Sequence, residues 1–171
     1  MIDKKPTCQL SAGRSDQNIV VRVDGWATMP HSLTVRLFAQ CMLDASDAEL
    51  YIDLDKCAYM DSTFTGTLAA ISIDRQDKLK KKLKLLFPSR SLRLIFEQLG
   101  LDKVVDLIDG PLRLPDTFLP LPKGGLSEIE SIGQHIVDTH KALIALGGPN
   151  VEEYRKVVND LNQEITRREK E

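Results

Sequence analysis

The chain has 171 residues, 42% of them apolar and 28% charged, with a net charge of -2 and a pI near 5.9. That length and balance fit one folded core with an appendage. They argue against a disordered chain and against the basic surface that nucleic acid or an acidic membrane selects. Three cysteines, Cys8, Cys41 and Cys57, are widely spaced, with no Cys-x-x-Cys and no histidine at a ligand interval, so they read as reduced, mostly buried thiols. The first residues hold two lysines but no apolar h-region, and no run approaches the roughly 18 apolar residues of a membrane span. The expectation is a cytoplasmic protein without membrane insertion.

NIVVRVDGW (18–26) alternates, with Val21 and Val23 on one side and Val20 and Arg22 on the other, and predicts a strand ended by Asp24-Gly25. Residues 7–10 can add an antiparallel edge strand. In HSLTVRLFAQCML the apolar positions Leu33, Leu37, Phe38 and Met42 recur at helical spacing, with Ser32 as cap. LYIDLDKCAYM (50–60) is a second strand that delivers the chain to Asp61. Phe64, Leu68 and Ile71 then mark a helix running through Arg75 to about Lys80. The lysine-rich run KLKKKLKL reads as a solvated helix end followed by a strand, not a nucleic-acid patch. KLKLLFPS (82–89) is the third strand. SRSLRLIFEQLG (89–100) is a helix with Leu92, Ile95, Phe96 and Leu99 on one face and Gly100 as its stop, and KVVDLID (103–109) is a last strand. Strand and helix alternate throughout, which predicts an α/β domain with a mixed, mainly parallel sheet and crossover helices over residues 1–110.

From Gly110 the composition changes. PLRLPDTFLPLPKGG carries four prolines and, with Gly110, three glycines, so 111–124 reads as an extended linker over a surface. Residues 125–171 predict a C-terminal two-helix extension. Ser127 with Glu130 forms one capping box, and Asn150 with Glu153 resembles a second. The first helix carries Leu126, Ile129, Ile132, Ile136, Leu143 and Leu146 as a stripe, and the second carries Val151, Tyr154, Val158, Leu161 and Ile165 as a heptad seam. A hairpin of this size needs a third surface, either the domain's own sheet or a second copy in a homodimer.

Signs of catalysis are few. Neither GxGxxG nor GxxxxGK[ST] occurs, Gly-x-Ser-x-Gly is missing, and Ser62 has no sequence-near base. His135 and His140 lie five apart, about 140° around a helix, which does not make a shared metal site, so each of the three histidines reads as a surface or satisfied side chain. Asp53 and Asp55 share one strand face, as a solvated strand end also would. The expectation is a binding or regulatory module and not an enzyme, with no cofactor and no metal.

The stretch YMDSTFTGTL (59–68) puts Asp61, Ser62 and Thr63 where a buried strand gives way to a helix. Such residues are common helix caps. In this context the chain resembles the STAS domains of bacterial anti-sigma factor antagonists over about residues 18–109. Asp61, Ser62, Thr63, Gly66 and Leu68 match that family's pattern after its central strand, and Leu99, Gly100, Leu101 and Asp102 match the end of its third helix. Phe64 departs from it, standing where the family usually has glycine. The resemblance implies partner switching: an unphosphorylated antagonist binds an anti-sigma factor that is also a serine kinase, the kinase phosphorylates the serine matched by Ser62, with Thr63 as fallback, and a serine phosphatase resets it. It also implies a partner-binding surface at Asp61, Ser62, Thr63, Phe64, Thr65 and Gly66, where the small Thr65, Thr67, Ala69 and Ala70 leave the helix flat. Two alternatives stay open, a STAS scaffold or assembly subunit without phosphorylation, for example in a transporter complex, and small-ligand sensing.

Overall fold

The computed structural model describes residues 7–122 and 129–170. A hairpin of β1 (Cys8–Ser15) and β2 (Asn18–Ala27) opens the chain, followed by α1 (Met29–Ala45), β3 (Glu49–Asp53), β4 (Cys57–Met60) and α2 (Ser62–Leu79). Next come β5 (Leu83–Leu86), α3 (Arg90–Leu99), a 3-10 turn (Leu101–Lys103) and β6 (Val105–Ile108). β7 (Leu119–Pro120), α4 (Ile129–Leu146) and α5 (Val151–Arg168) complete it. The sheet order is β6-β5-β3-β2-β1-β7, with β4 also pairing with β2. Pairing is parallel from β6 through to β2 and in the β2–β4 pair, and antiparallel where β1 meets β2 and β7. This is the mixed, mainly parallel α/β architecture that the element order predicts.

Strand alternation sorts the core. Ile19, Val21 and Val23 of β2 join Leu50, Ile52, Leu83 and Leu85 in the main core, beneath Val35 and Ala39 of α1, Phe64 and Leu68 of α2, and Leu92 and Phe96 of α3. Val20, Tyr51 and Leu86 point to the opposite face, where Leu112, Leu114 and Phe118 of the proline-rich segment cover them. The linker is therefore a strap across the sheet. β7 pairs with β1, and the Leu121 amide donates to the Leu10 carbonyl at 2.9 Å.

Several local expectations are corrected. Gly25 does not end β2; with φ +100° it sits at a register shift between Gly25 and Trp26, and a Cβ there would lie 2.1 Å from the Thr7 carbonyl oxygen. The single strand expected over 50–60 is two, because the turn after Asp53 breaks the ladder before β4 resumes pairing with β2. α1 begins at Met29, before Ser32, which is buried inside the helix. Its buried face is Ser32, Val35, Ala39 and Leu43, while Leu37 is exposed and Phe38 and Met42 pack only in part against the core. Cys41 is exposed and Cys8 half-buried; only Cys57 is buried.

Both tail helices are present, yet their starts differ from expectation. The Ser127–Glu130 capping box lies outside the described residues, as does Leu126. Asn150 precedes α5 but makes no side-chain cap hydrogen bond. In α4 the buried residues include Val137, Ala142 and Leu143 but also the polar His135, Thr139 and His140, because this helix is held between α2 and α5. The third surface that the hairpin needs is α2 of the same chain, together with the end of α3, where Leu99, Leu143 and Tyr154 form a separate small cluster.

Candidate functional site

Asp61 leaves the sheet at the end of β4, its amide donating to the Ala27 carbonyl at 3.0 Å. Its extended backbone and short carboxylate make it the N-cap of α2: Oδ1 accepts from the Phe64 amide at 2.8 Å. The other oxygen, Oδ2, accepts from the Met29 amide at 2.8 Å, in the first turn of α1. One carboxylate thus satisfies donors of two helices. Thr28, the N-cap of α1, makes no side-chain cap bond. The cap expected at Ser32 is supplied from 32 residues further along the chain.

Ser62 is the first residue of α2 and is half-buried, whereas Thr63, Phe64, Thr65 and Gly66 are buried. Phe64 points into the core at 0% exposure, so the bulky departure from the family pattern is a packing residue. The hydroxyls of Thr65 and Thr67 donate back to the Asp61 and Thr63 carbonyls at 2.9 and 2.8 Å. Gly66 is where α4 crosses: a Cβ there would lie 2.4 Å from the Thr139 carbonyl oxygen and 3.0 Å from the Thr139 Cβ. The flat face expected for a partner is covered by the chain's own tail.

Two histidines that the sequence leaves apart from any site sit at this crossing. His140 Nδ1 lies 2.8 Å from the Ile136 carbonyl, an acceptor only, so Nδ1 carries the hydrogen and Nε2 of the neutral ring is bare. That Nε2 lies 3.5 Å from Ser62 Oγ, a contact too long for a strong hydrogen bond. Tyr154 of α5 packs edge-on against the ring at 5.3 Å. One turn away, His135 Nε2 lies 2.8 Å from Ser32 Oγ, whose own hydrogen goes to the Met29 carbonyl at 2.6 Å, so His135 is the donor. Its Nδ1 is buried without a partner. Burial first, then Arg36, lower the His135 pKa to about 4, and Asp138 opposes this only in part.

A serine beside an imidazole is also a nucleophile arrangement. Three clefts among the described residues are lined by other groups, at Asn162–Arg167, at Arg36–Ile71, and on the far side of the sheet. The last, about 270 Å³, gathers Arg22, Asp53, Asp55, Lys56, Phe87 and Leu114. Here Asp53 is 3% exposed and paired with Arg22 at 3.0 Å, not a solvated strand end, and Arg22 lies 3.8 Å over the Phe118 ring. Near Asp61, Trp26 and Tyr59 pack with ring centroids 4.8 Å apart and planes tilted by 36°, and are 44% and 42% exposed. Among the described residues no group of three or more metal-ligating side chains occurs, and no helix is long and apolar enough to cross a membrane.

No protein-family model and no curated protein matches the chain. Among solved structures it is similar to the anti-sigma factor antagonist SpoIIAA in its unphosphorylated form, 18% identical over 61% of this chain and 90% of that one, with a TM-score of 0.46. It is also similar to the Bacillus cell fate determinant SpoIIAA in the phosphorylated form, 19% identical over 60% of this chain and 92% of that one, with a TM-score of 0.44.

Proposed function

We propose that the chain is a regulatory protein-binding module of the anti-sigma factor antagonist type, working in the cytoplasm and not as an enzyme. With Ser62 unmodified it binds an anti-sigma factor that is a serine kinase; phosphate on Ser62 ends that binding and a serine phosphatase restores it. Residues 1–110 carry the switch, 111–124 link it, and 125–171 regulate access. The observation that carries this reading is the position of Ser62, half-buried as the first residue of an 18-residue helix behind the Asp61 cap. Thr63 beside it is buried, which favours Ser62 as acceptor. A phosphate brings about -1.5 to -2 charges. First-turn N–H groups and the helix dipole tolerate it without unfolding the domain, while the same charge opposes desolvation against a partner.

Mass-spectrometric phosphosite mapping on protein from its native host, in growth and in stress, tests the reading. Phosphate at Ser62 is expected in one condition, with Ser62→Asp abolishing and Ser62→Ala retaining binding of the kinase partner. No modification in any condition, with one partner held throughout, supports a second reading. In that reading the chain is a constitutive scaffold or assembly subunit, favoured by the burial of Thr63 to Gly66, with α4 crossing at Gly66.

A further inference from the structure

α4 lies on the first half of α2, where the Thr139 carbonyl approaches Gly66 and His140 meets Ser62. Apart from His135, which bonds to Ser32 of α1, the buried polar side chains at this crossing are satisfied by the backbone at their own helices. Thr65 and Thr67 donate to carbonyls of the α2 end, and Thr139 and His140 both donate to the Ile136 carbonyl, at 2.9 and 2.8 Å. Separating the two helices therefore leaves these groups hydrogen-bonded, and the large penalty of a broken buried polar network does not arise. The ties that do cross include the long Ser62–His140 contact, the Ser32–His135 bond and the partly exposed Arg36–Asp138 pair at 3.7 Å. Val137 and Leu143, at 0% and 1% exposure, hold α4 down by apolar burial, so the seated form dominates and the lifted form is the minor state.

The hairpin is also secured apart from the sheet core. Leu143 and Tyr154 pack with Leu99 in their own cluster, and the loop before α5 sits on the end of α3, where a Cβ on Gly148 would lie 3.1 Å from the Gln98 carbonyl oxygen. Weakening that cluster loosens the tail while leaving β2, β3 and β5 packed.

We propose that the α4–α5 hairpin is a removable autoinhibitory cover: it seats α4 across Gly66 and His140 against Ser62, and it must lift before a protein partner can reach the Ser62 end of α2. This rests on the reading of Ser62 as the switch residue, yet it has its own test. In the full-length chain carrying Ser62→Cys, labelling by a bulky polyethylene glycol maleimide is followed, and mass spectrometry of the remaining free thiols assigns the sites. Exposed Cys41 is the internal standard for reagent and buried Cys57 for an intact core. The neighbouring imidazole can only speed a thiol in the seated form, so slowness there reports cover. The expected result is labelling at position 62 about tenfold or more slower than at Cys41, rising at least about tenfold when Leu143→Ala is added, with Cys57 still protected. If Cys57 reacts as well, the milder Tyr154→Leu is used to read the same opening.

Labelling at position 62 as fast as at Cys41 in the otherwise unaltered chain overturns the cover. So does a rate unmoved by Leu143→Ala while hydrogen exchange shows α4 loosened. Unphosphorylated Ser62 in every condition, together with a cover that the tail variants release, removes the switch and keeps the cover; phosphate at Ser62 with free labelling does the reverse.

Discussion

The strap and the hairpin both return the chain after β6 to the sheet domain, and they hold it by different chemistry. The strap inserts side chains across its interface: Leu112, Leu114 and Phe118 cover Val20, Tyr51 and Leu86, Phe118 lies under Arg22, and β7 adds ladder bonds to β1. Its tight approach is at Gly13, where a Cβ would lie 2.5 Å from the Thr117 carbonyl oxygen and 2.7 Å from the Pro115 Cβ, about as close as α4 comes to Gly66. At the hairpin interface the hydroxyls of Thr65, Thr67 and Thr139 and the His140 imidazole are instead bonded at their own helices, and His135 alone of the two histidines bonds across, to Ser32. An interface whose polar groups cross it resists separation, because each broken tie strands a donor or acceptor. One whose polar groups are mostly satisfied on each side separates at the cost of its apolar contacts and the few ties that cross, here Ser32–His135 and Arg36–Asp138.

The sharpest way to break this comparison is Leu143→Ala. It should remove about 2–5 kcal/mol of hairpin docking. Hydrogen exchange should show that loss in α4 and α5 while β2, β3 and β5 keep their protection. Uniform loss of protection would make the hairpin as integral as the strap.

Acid should act on the same interface through His135. Its folded pKa, about 4, lies below the ordinary value of 6.5, so below pH 6.5 the unfolded or undocked chain binds more protons. Stability is therefore fully present above about pH 6.5 and is lost as pH falls toward 4, by about 3 kcal/mol in all. Protonation would place a hydrogen on the unpartnered Nδ1, facing Arg36 as well as Asp138. A pH series of denaturant melts should show this slope, and His135→Gln should flatten it.

Asp61→Ala removes acceptors from two helix starts and should cost about 1–3 kcal/mol by chemical denaturation. Asp61→Asn should cost less because one acceptor oxygen survives. On the strap, Phe118→Ala should cost about 1–2 kcal/mol, from packing and the Arg22 cation–π contact together, and should lower the global midpoint without a separate hairpin transition. The smallest stability effect should come from Trp26→Ala or Tyr59→Ala. These exposed rings should change stability by no more than about 0.5 kcal/mol. If the end of β2 and β4 beside Asp61 forms part of the partner surface, binding measured by titration should nevertheless weaken.

Local pattern was enough for most of the fold. Alternation in NIVVRV placed Val21 and Val23 against the helices and Val20 on the other face. The period of Phe64, Leu68 and Ile71 set the inward side of α2, and Ser89 and Gly100 bound α3 where their side-chain and backbone chemistry predicts. These signals are short-range, written in residues a few positions apart. The motif at Asp61–Ser62 was legible for the same reason, as a polar cap between an apolar strand and an apolar helix.

What the sequence alone did not contain was who meets whom across the chain. Asp61 caps α1 as well as α2, Asp53 is buried because Arg22 and the strap close over it, and Ser62 faces an imidazole 78 residues away. His135 and His140 are unremarkable on their own helix and spaced wrongly for a metal. They become partners of Ser32 and Ser62 only because Gly66 lets the α4 backbone come within contact of α2. Sequence period fixes which side of an element is apolar; which element that side meets depends on the fit of surfaces brought together by long loops, and that is settled by packing, not by any local residue pattern.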